Sequence, residues 1–428
     1  MLLLQKGTVV DPRTKKEMVA DILTDGNRIK KIGQNLAREL SEKEPADVTI
    51  IDAEGKYVLP GLVDVHVHFR DPGFTYKEDI ISGAAAAAKG GVTTVVLMAN
   101  TKPAVDNVET LQYVINKGKE TGIHVETCTT ITKGMKGEEM VDMAELKGAG
   151  AVGFTDDGVP VLDEELVRRA MKTAKELDMP LSFHEEDPAY IQNNGINAGK
   201  AAAHFGIGGS KRDAEISLVK RDLEIALKTG ACVNIQHIST KEAVELVRQA
   251  KAKGGDVHAE ATPHHIALTE EAAIKHGTLA KMNPPLREEE DRQAIIKALH
   301  DGTIDLIATD HAPHSTEEKA KEITDAPSGI IGLETALSLC YEELVEKTGM
   351  SMSVLMEKMS YNPAMLYHLD AGYIEEEGPA DLCVFNPNAT WTTEEFVSRS
   401  QNSPFTGQVL KGVVEYTISD GKIIYKNR

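Results

Sequence analysis

Two histidines separated by one residue, His66 and His68, stand in the run Asp64-Val65-His66-Val67-His68-Phe69-Arg70. On a β-strand, positions i and i+2 share a face, so both imidazoles can turn toward one ion. Further along, His184 and His237 each close an apolar stretch, Asp156-Asp157-Gly158 follows another, and Asp310-His311-Ala312-Pro313-His314 follows a fourth. Four histidines with carboxylates are nitrogen and oxygen donors suited to Zn²⁺ or a similar first-row metal. Two metals would need a bridging carboxylate, and the Asp156-Asp157 pair is placed to supply it. A lone histidine at a strand end is ordinarily just a hydrogen-bonded residue. A set spread over five strand ends is not explained that way.

The elements between these residues must bring them together. Apolar strand candidates cover 62–67, 93–98, 123–128, 151–154, 180–183, 231–235, 256–261 and 304–308, and helical stretches such as 138–147, 164–177, 241–253 and 291–299 separate them. Strands that alternate with helices pair in parallel. Eight such units suit an α/β fold of the (β/α)8 TIM-barrel type, with a long doubly wound sheet as the alternative. In a barrel, chemistry collects at the C-terminal strand ends, where the histidines and aspartates fall. Both chain ends read differently, as short strands and turns. Residues 2–10, 20–24 and 28–32 lie around the Asp25-Gly26-Asn27 turn, and 381–385 precedes a hairpin, 413–425, around Asp420-Gly421. The expected organisation is a small composite β domain from residues 1–55 and 370–428, around a catalytic barrel at 56–369.

Composition excludes several classes of function. The chain has 428 residues, 41% hydrophobic and 27% charged, an ordinary globular balance. With 47 Lys and Arg against 67 Asp and Glu, the net charge is −20, and no basic patch offsets it. That field disfavours nucleic acid and anionic membrane as partners. No run approaches the roughly 18 apolar residues of a membrane span. The opening MLLLQKG lacks the length and the preceding positive segment of a signal peptide, so a cytoplasmic location is expected. Cys128, Cys232, Cys340 and Cys383 are far apart, form no CxxC pair and sit in apolar stretches. Buried free thiols are expected, not a disulfide framework or a zinc ribbon.

The run from Asp64 to Arg70, continued by Asp71-Pro72-Gly73, resembles the first signature of the metal-dependent amidohydrolase superfamily, and within it of the dihydroorotase family. Ala308-Thr309-Asp310-His311-Ala312-Pro313-His314, with Lys319 beyond it, is similar to that family's second signature. The likeness extends over nearly the whole chain, through Asn362-Pro363-Ala364 and Gly378-Pro379-Ala380-Asp381-Leu382. Allantoinase and dihydropyrimidinase share the His-x-His; Arg70 with the Asp-x-Ala-Pro-His segment favours dihydroorotase. Many superfamily members carry a carboxylated lysine between the metals. This chain reads Gly153-Phe154-Thr155-Asp156-Asp157 there, as in the dihydroorotase branch that uses aspartate.

The resemblance implies reversible ring closure of N-carbamoyl-L-aspartate to L-dihydroorotate in pyrimidine biosynthesis, with up to two Zn²⁺ ions per chain. It implies that His66, His68 and Asp310 hold one metal, that His184 and His237 hold the other, and that Asp157 bridges them, with Asp156 as a cap or outer partner. It assigns substrate contacts to Arg70, Asn100, Asn283 and His314, and to backbone groups of a closing loop at Ser328 and Gly329. A metal lowers the pKa of bound water toward ~7, which provides hydroxide at neutral pH. Asp310 can shuttle a proton between water and the amide nitrogen. Arg70 has the flat two-pronged donor that clamps a carboxylate. His311 and the His264-His265 pair read as outer partners of the site or as structural residues. Allantoinase, dihydropyrimidinase and a non-catalytic scaffold for aspartate transcarbamoylase are the alternatives. The resemblance is compatible with a homo-oligomer and with association with aspartate transcarbamoylase.

Overall fold

The computed structural model describes residues 1–43 and 48–427. The N-terminal part forms β1 (Leu2–Asp11), β2 (Lys16–Asp25), β3 (Arg28–Gly33), β4 (Thr49–Asp52) and β5 (Tyr57–Pro60). Eight strands alternating with helices follow: β6 (Leu62–Val67), β7 (Val92–Leu97), β8 (His124–Thr129), β9 (Gly153–Phe154), β10 (Leu181–Phe183), β11 (Val233–Ile235), β12 (Val257–Ala261) and β13 (Leu306–Ile307). The chain returns through β14 (Leu382–Thr392), β15 (Val409–Ser419) and β16 (Lys422–Lys426).

Strands β6 to β13 pair in sequence order, each parallel to the next. Val67 bridges His311 in parallel, and His68 N donates to His311 O at 2.9 Å, joining the last strand to the first. That seam makes the sheet a (β/α)8 barrel, not the open doubly wound alternative. Every strand candidate is present, most of them trimmed or shifted by a residue or two. β6 and β7 are buried along their whole length, as parallel strands covered on both faces must be. The helices obey local signals. Asp79 and Ser82 cap each other at the start of helix Ile80–Lys89, and Asp163 accepts from Glu165 N and Leu166 N at the start of Glu164–Glu176.

One expected helix differs. The helix anticipated at 138–147 starts only at Met143, because the Asp142 side chain accepts from Glu145 N at 3.0 Å and caps it there. The preceding residues run beside 131–133 instead, with Val141 N on Ile131 O and Lys133 N on Glu139 O.

The terminal strands form one sheet in the order β16-β15-β14-β5-β1-β2-β3, with β4 also on β1. It has its own core, including Leu4, Ile22, Ile29, Val58, Leu382 and Val384. The sheet runs on to Pro60, beyond the boundary expected at residue 55. Gly61 then carries the chain into the barrel: a Cβ there would lie 2.0 Å from Thr93 Oγ1, so only glycine fits the crossing. Cys128, Cys340 and Cys383 are buried free thiols, but Cys232 is partly exposed, which corrects the expectation for that residue.

Candidate active site

Because the eight strands are parallel, their C-terminal ends share one face, and the polar residues beyond them converge. A cavity of about 190 Å³ is lined by His68, Arg70, Asn100, Asp157, His184, His237, Asn283, Asp310, His314, Ser328 and Gly329. His66 is fully buried beside it, with its Nε2 toward Asp157. The whole set expected from the sequence is therefore gathered at one mouth. Arg70, His237 and Asp310 have φ of 59°, 32° and 48°, a left-handed conformation rare outside glycine. Such backbone costs on the order of 1–3 kcal/mol per residue and persists where the surroundings over-determine it.

Asp157 sits in a ring of imidazoles. Its Oδ1 lies 3.3 Å from His66 Nε2, 3.7 Å from His184 Nδ1 and 4.0 Å from His237 Nε2; its Oδ2 lies 3.4 Å from His68 Nε2. Asp310 Oδ1 is 3.0 Å from His68 Nε2 and 3.5 Å from His66 Nε2. Burial works against the Asp157 charge, but His66, His68 and His184 outweigh it and hold the carboxyl well below its ordinary range. Burial likewise opposes charge on His66, and Asp157, Asp310 and Glu260 overcome it, raising its pKa well above the usual value. His237 goes the other way, since burial and the neighbouring His184 and His66 keep it neutral. Asp156 turns away, accepting from Ile131 N at 2.7 Å, Thr132 N at 3.1 Å and the Thr132 hydroxyl. Of the two aspartates, only Asp157 faces the histidines.

The donor set fits a cation. His66 Nε2 is fully buried and makes no hydrogen bond of good geometry. The ring nitrogens His184 Nδ1 and His237 Nε2 face each other at 2.9 Å. Three groups, His66–His68–Asp157, His66–His237–Asp310 and Asp157–His184–His237, each hold ligand atoms within 4.8 Å of one another. Nitrogen lone pairs converging on carboxylate oxygens are what an N/O metal centre requires.

Sequence reasoning missed the residues that hold these ligands. Glu260, at the end of β12, meets His66 Nδ1 at 2.9 Å and fixes that nitrogen as the protonated one, leaving Nε2 as the donor atom. Asn234 donates to the other Glu260 oxygen. A glutamate near the end of a buried barrel strand was the available signal. Asp64 accepts from Thr309 N and His66 N, stitching β6 to the segment after β13, and burial pushes its carboxyl up to about 6. Glu260→Gln is expected to weaken metal binding by about 10–100-fold, the usual cost of losing such a carboxylate. Metal titration of the purified variant checks this; unchanged affinity would remove Glu260 from the support of the site.

On the open side of the cavity, Arg70 donates from Nε to Pro313 O at 3.3 Å and has no ion pair among the described residues. Burial lowers its pKa against the pull of Asp310, Asp157 and Glu318, none of which forms an ion pair with it among the described residues. His314 Nε2 donates to Ser328 O at 2.8 Å and its Nδ1 accepts from Lys77 Nζ at 3.3 Å. Burial, followed by the charges of Arg70, Lys77 and Lys319, keeps His314 neutral. Asn283 lines the cavity with a buried Oδ1 that has no partner. His265 Nε2 reaches Pro284 O next to it, in keeping with a structural role for that histidine. Asn100 is already engaged: its amide donates to Asp157 and its Oδ1 faces His68 Nδ1 at 2.9 Å. It holds both of those residues in place.

The loop at Ser328 and Gly329 is pinned from several sides. Gly329 has φ 126°, and a Cβ there would meet Ala312 Cβ at 2.7 Å. Lys319 Nζ donates to Pro327 O and Gly329 O, and Asn402, from the segment after β14, donates to Ala312 O and Gly329 O. The connection between β14 and β15 thus reaches the site, which its position in sequence did not foretell.

The amidohydrolase family profile matches residues 57–424. A dihydroorotase of Clostridioides difficile is 56% identical over 425 residues, covering 99% of this chain and 100% of the relative. One of Streptococcus pneumoniae is 48% identical over 428 residues, with full coverage of both. Among solved structures, the L-hydantoinase (dihydropyrimidinase) of Arthrobacter aurescens superposes with a TM-score of 0.88 over 99% of this chain and 96% of its own, at 24% identity. That last likeness speaks for the fold alone. The full-length identity to the curated relatives carries the assignment: the chain belongs to the amidohydrolase family and, within it, to the dihydroorotases.

Proposed function

We propose that the chain catalyses the reversible cyclisation of N-carbamoyl-L-aspartate to L-dihydroorotate with loss of water. The observation that carries this reading is Arg70, a guanidinium without an ion pair among the described residues, lining the same cavity as the histidines and Asp310. Dihydroorotate is a cyclic amide bearing a carboxylate that takes no part in the chemistry. A bidentate Arg70–carboxylate pair would hold that group and aim the ring at the polar floor. Asn283 Oδ1 is free to accept a ring N–H, and the loop at Ser328 and Gly329 offers backbone groups above it.

His66, His68 and Asp310 would hold one zinc ion, His184 and His237 a second, with Asp157 between them. When bound, such ions polarise the ring carbonyl and lower the pKa of water for attack. The protein's own part is positioning and proton transfer. During hydrolysis an Asp310 carboxylate oxygen takes the proton of the attacking water and passes it to the ring nitrogen as the amide bond breaks. In synthesis the same oxygen takes the ureido N–H proton and returns it to the departing carboxylate oxygen, which leaves as water with one further proton from solvent. Asn100 keeps Asp157 and His68 in register, and neutral His314 holds the Ser328 loop. The small substrate, the acidic surface and the nature of the pathway accord with a cytoplasmic enzyme.

Dihydrouracil is the same ring without the carboxylate and provides the test. Turnover of L-dihydroorotate should far exceed that of dihydrouracil, and Arg70→Lys should raise KM and lower kcat for dihydroorotate while leaving the poor dihydrouracil rate alone. Lysine keeps the charge but loses the planar fork. Equal use of both compounds, or an Arg70→Lys enzyme with parental KM and kcat, would contradict this reading.

A further inference from the structure

Three strands that bring His237, Glu260 and Asp310 to the mouth of the barrel carry a second polar group at their opposite ends. Cys232 precedes β11, Asp256 precedes β12 with His258 on it, and Asp305 precedes β13. These positions lie on the N-terminal face of the barrel, away from the catalytic mouth. Polar residues there usually bear on stability, not on the reaction. The ligand atoms of Cys232, Asp256 and His258 all lie within 4.8 Å of one another.

The arrangement of His258 points to a ligand. Its Nδ1 meets Asp305 Oδ2 at 2.6 Å, and its Nε2 faces Asp256 Oδ1 at 3.4 Å. Asp305 is itself fixed by Ala259 N at 3.1 Å and Lys251 Nζ at 3.0 Å. One ring nitrogen is thus tied to an anchored carboxylate, and the other is turned toward a second carboxylate beside a thiol. Metal-ligating histidines are held in this way, with a carboxylate behind the ring fixing its tautomer and direction. The cluster opens into a cavity of about 270 Å³, which gives a hydrated ion a path in. Cys232 is the one thiol of the four that is partly exposed, and it lies in this cavity.

We propose that Cys232, Asp256 and His258 form a zinc-type divalent metal site at the foot of the barrel, with Asp305 orienting His258. One sulfur, one imidazole nitrogen and one carboxylate oxygen make a borderline-soft donor set that selects zinc or cobalt over magnesium or calcium. Asp256 and Asp305 favour the protonated His258 ring, so coordination by thiolate and neutral imidazole releases two protons to solvent, one from Cys232 and one from His258 Nε2. The ion ties the start of β11 to the start of β12 and, through His258 and Asp305, to β13. Its role is to brace the barrel, independent of the catalytic metals.

Cobalt(II) distinguishes this site from the catalytic one, because no cysteine lines the upper cavity. The full chain loaded with cobalt should show the near-ultraviolet thiolate-to-metal charge-transfer absorption. Cys232→Ser should abolish it while turnover of L-dihydroorotate stays at the parental level. Zinc should also slow alkylation of Cys232 in the unmodified protein, a readout that needs no variant. A cobalt-loaded chain without thiolate absorption, an absorption that survives Cys232→Ser, or alkylation at the same rate with and without zinc would each overturn the proposal.

Discussion

Asp310→Asn is expected to lower turnover of L-dihydroorotate by about 10²–10⁴-fold, the usual worth of a positioned acid–base group, in a protein that still folds. The substitution is nearly isosteric. Asparagine also tolerates the left-handed conformation that Asp310 adopts at φ 48° better than most residues, so the backbone has no reason to rearrange. Its amide oxygen can still face His68 Nε2, now 3.0 Å from Asp310 Oδ1. What asparagine cannot do is accept a proton from water and return it to nitrogen. The loss should therefore appear in kcat in both directions, with KM little changed. Metal content measured on the same sample separates the two roles of this residue. Near-parental turnover at parental metal content would show that the proton travels by another route.

Removal of metal is the second large effect. Chelation and dialysis should bring turnover to the background rate, and zinc should restore it. Asp157 and Asp310 are two buried carboxylates facing four imidazoles, and these residues have no other electrophile with which to polarise an amide. The barrel should survive the treatment. Its core, which includes Leu62, Val95, Phe154, Leu181, Val233 and Ile235, is apolar and does not depend on the centre. Circular dichroism should be unchanged while activity disappears. Turnover that persists in a sample with no measurable metal would contradict the account of the centre.

Much of this was legible in the sequence, for an identifiable reason. A parallel barrel puts every strand end on one face, so residues hundreds of positions apart converge if each merely follows its own strand. His66, His184, His237 and Asp310 could be grouped on that basis without knowing any contact between them. The alternation of strand and helix gave the architecture, and Asn-, Asp- and Gly-containing turns marked the terminal strands. What stayed hidden depends on contacts with no local pattern. Glu260 supports His66 from 194 residues away. Asn402 reaches the Ser328 loop from the connection between β14 and β15, and nothing near it in sequence suggests a destination. Asn100 is a substrate contact by resemblance and lines the cavity, but nothing in the sequence shows that its amide also holds Asp157 and His68. The late start at Met143 turns on one capping carboxylate, Asp142. Cys232 sits in an apolar stretch and still emerges at the surface, because the stretch begins at a strand end, not within one.

The most direct test is to follow one purified, metal-analysed preparation from both sides of the reaction. L-dihydroorotate and N-carbamoyl-L-aspartate are each supplied alone and followed to equilibrium at several pH values. Closure turns a species with two carboxylates into one with a single carboxylate and so consumes one proton. The account predicts conversion in both directions to the same final ratio at each pH. That ratio should shift by about tenfold toward the open form per unit rise in pH, and neither direction should proceed in Asp310→Asn at a comparable rate. Conversion of neither compound by metal-replete protein, with or without turnover of hydantoin or allantoin in their place, would contradict it.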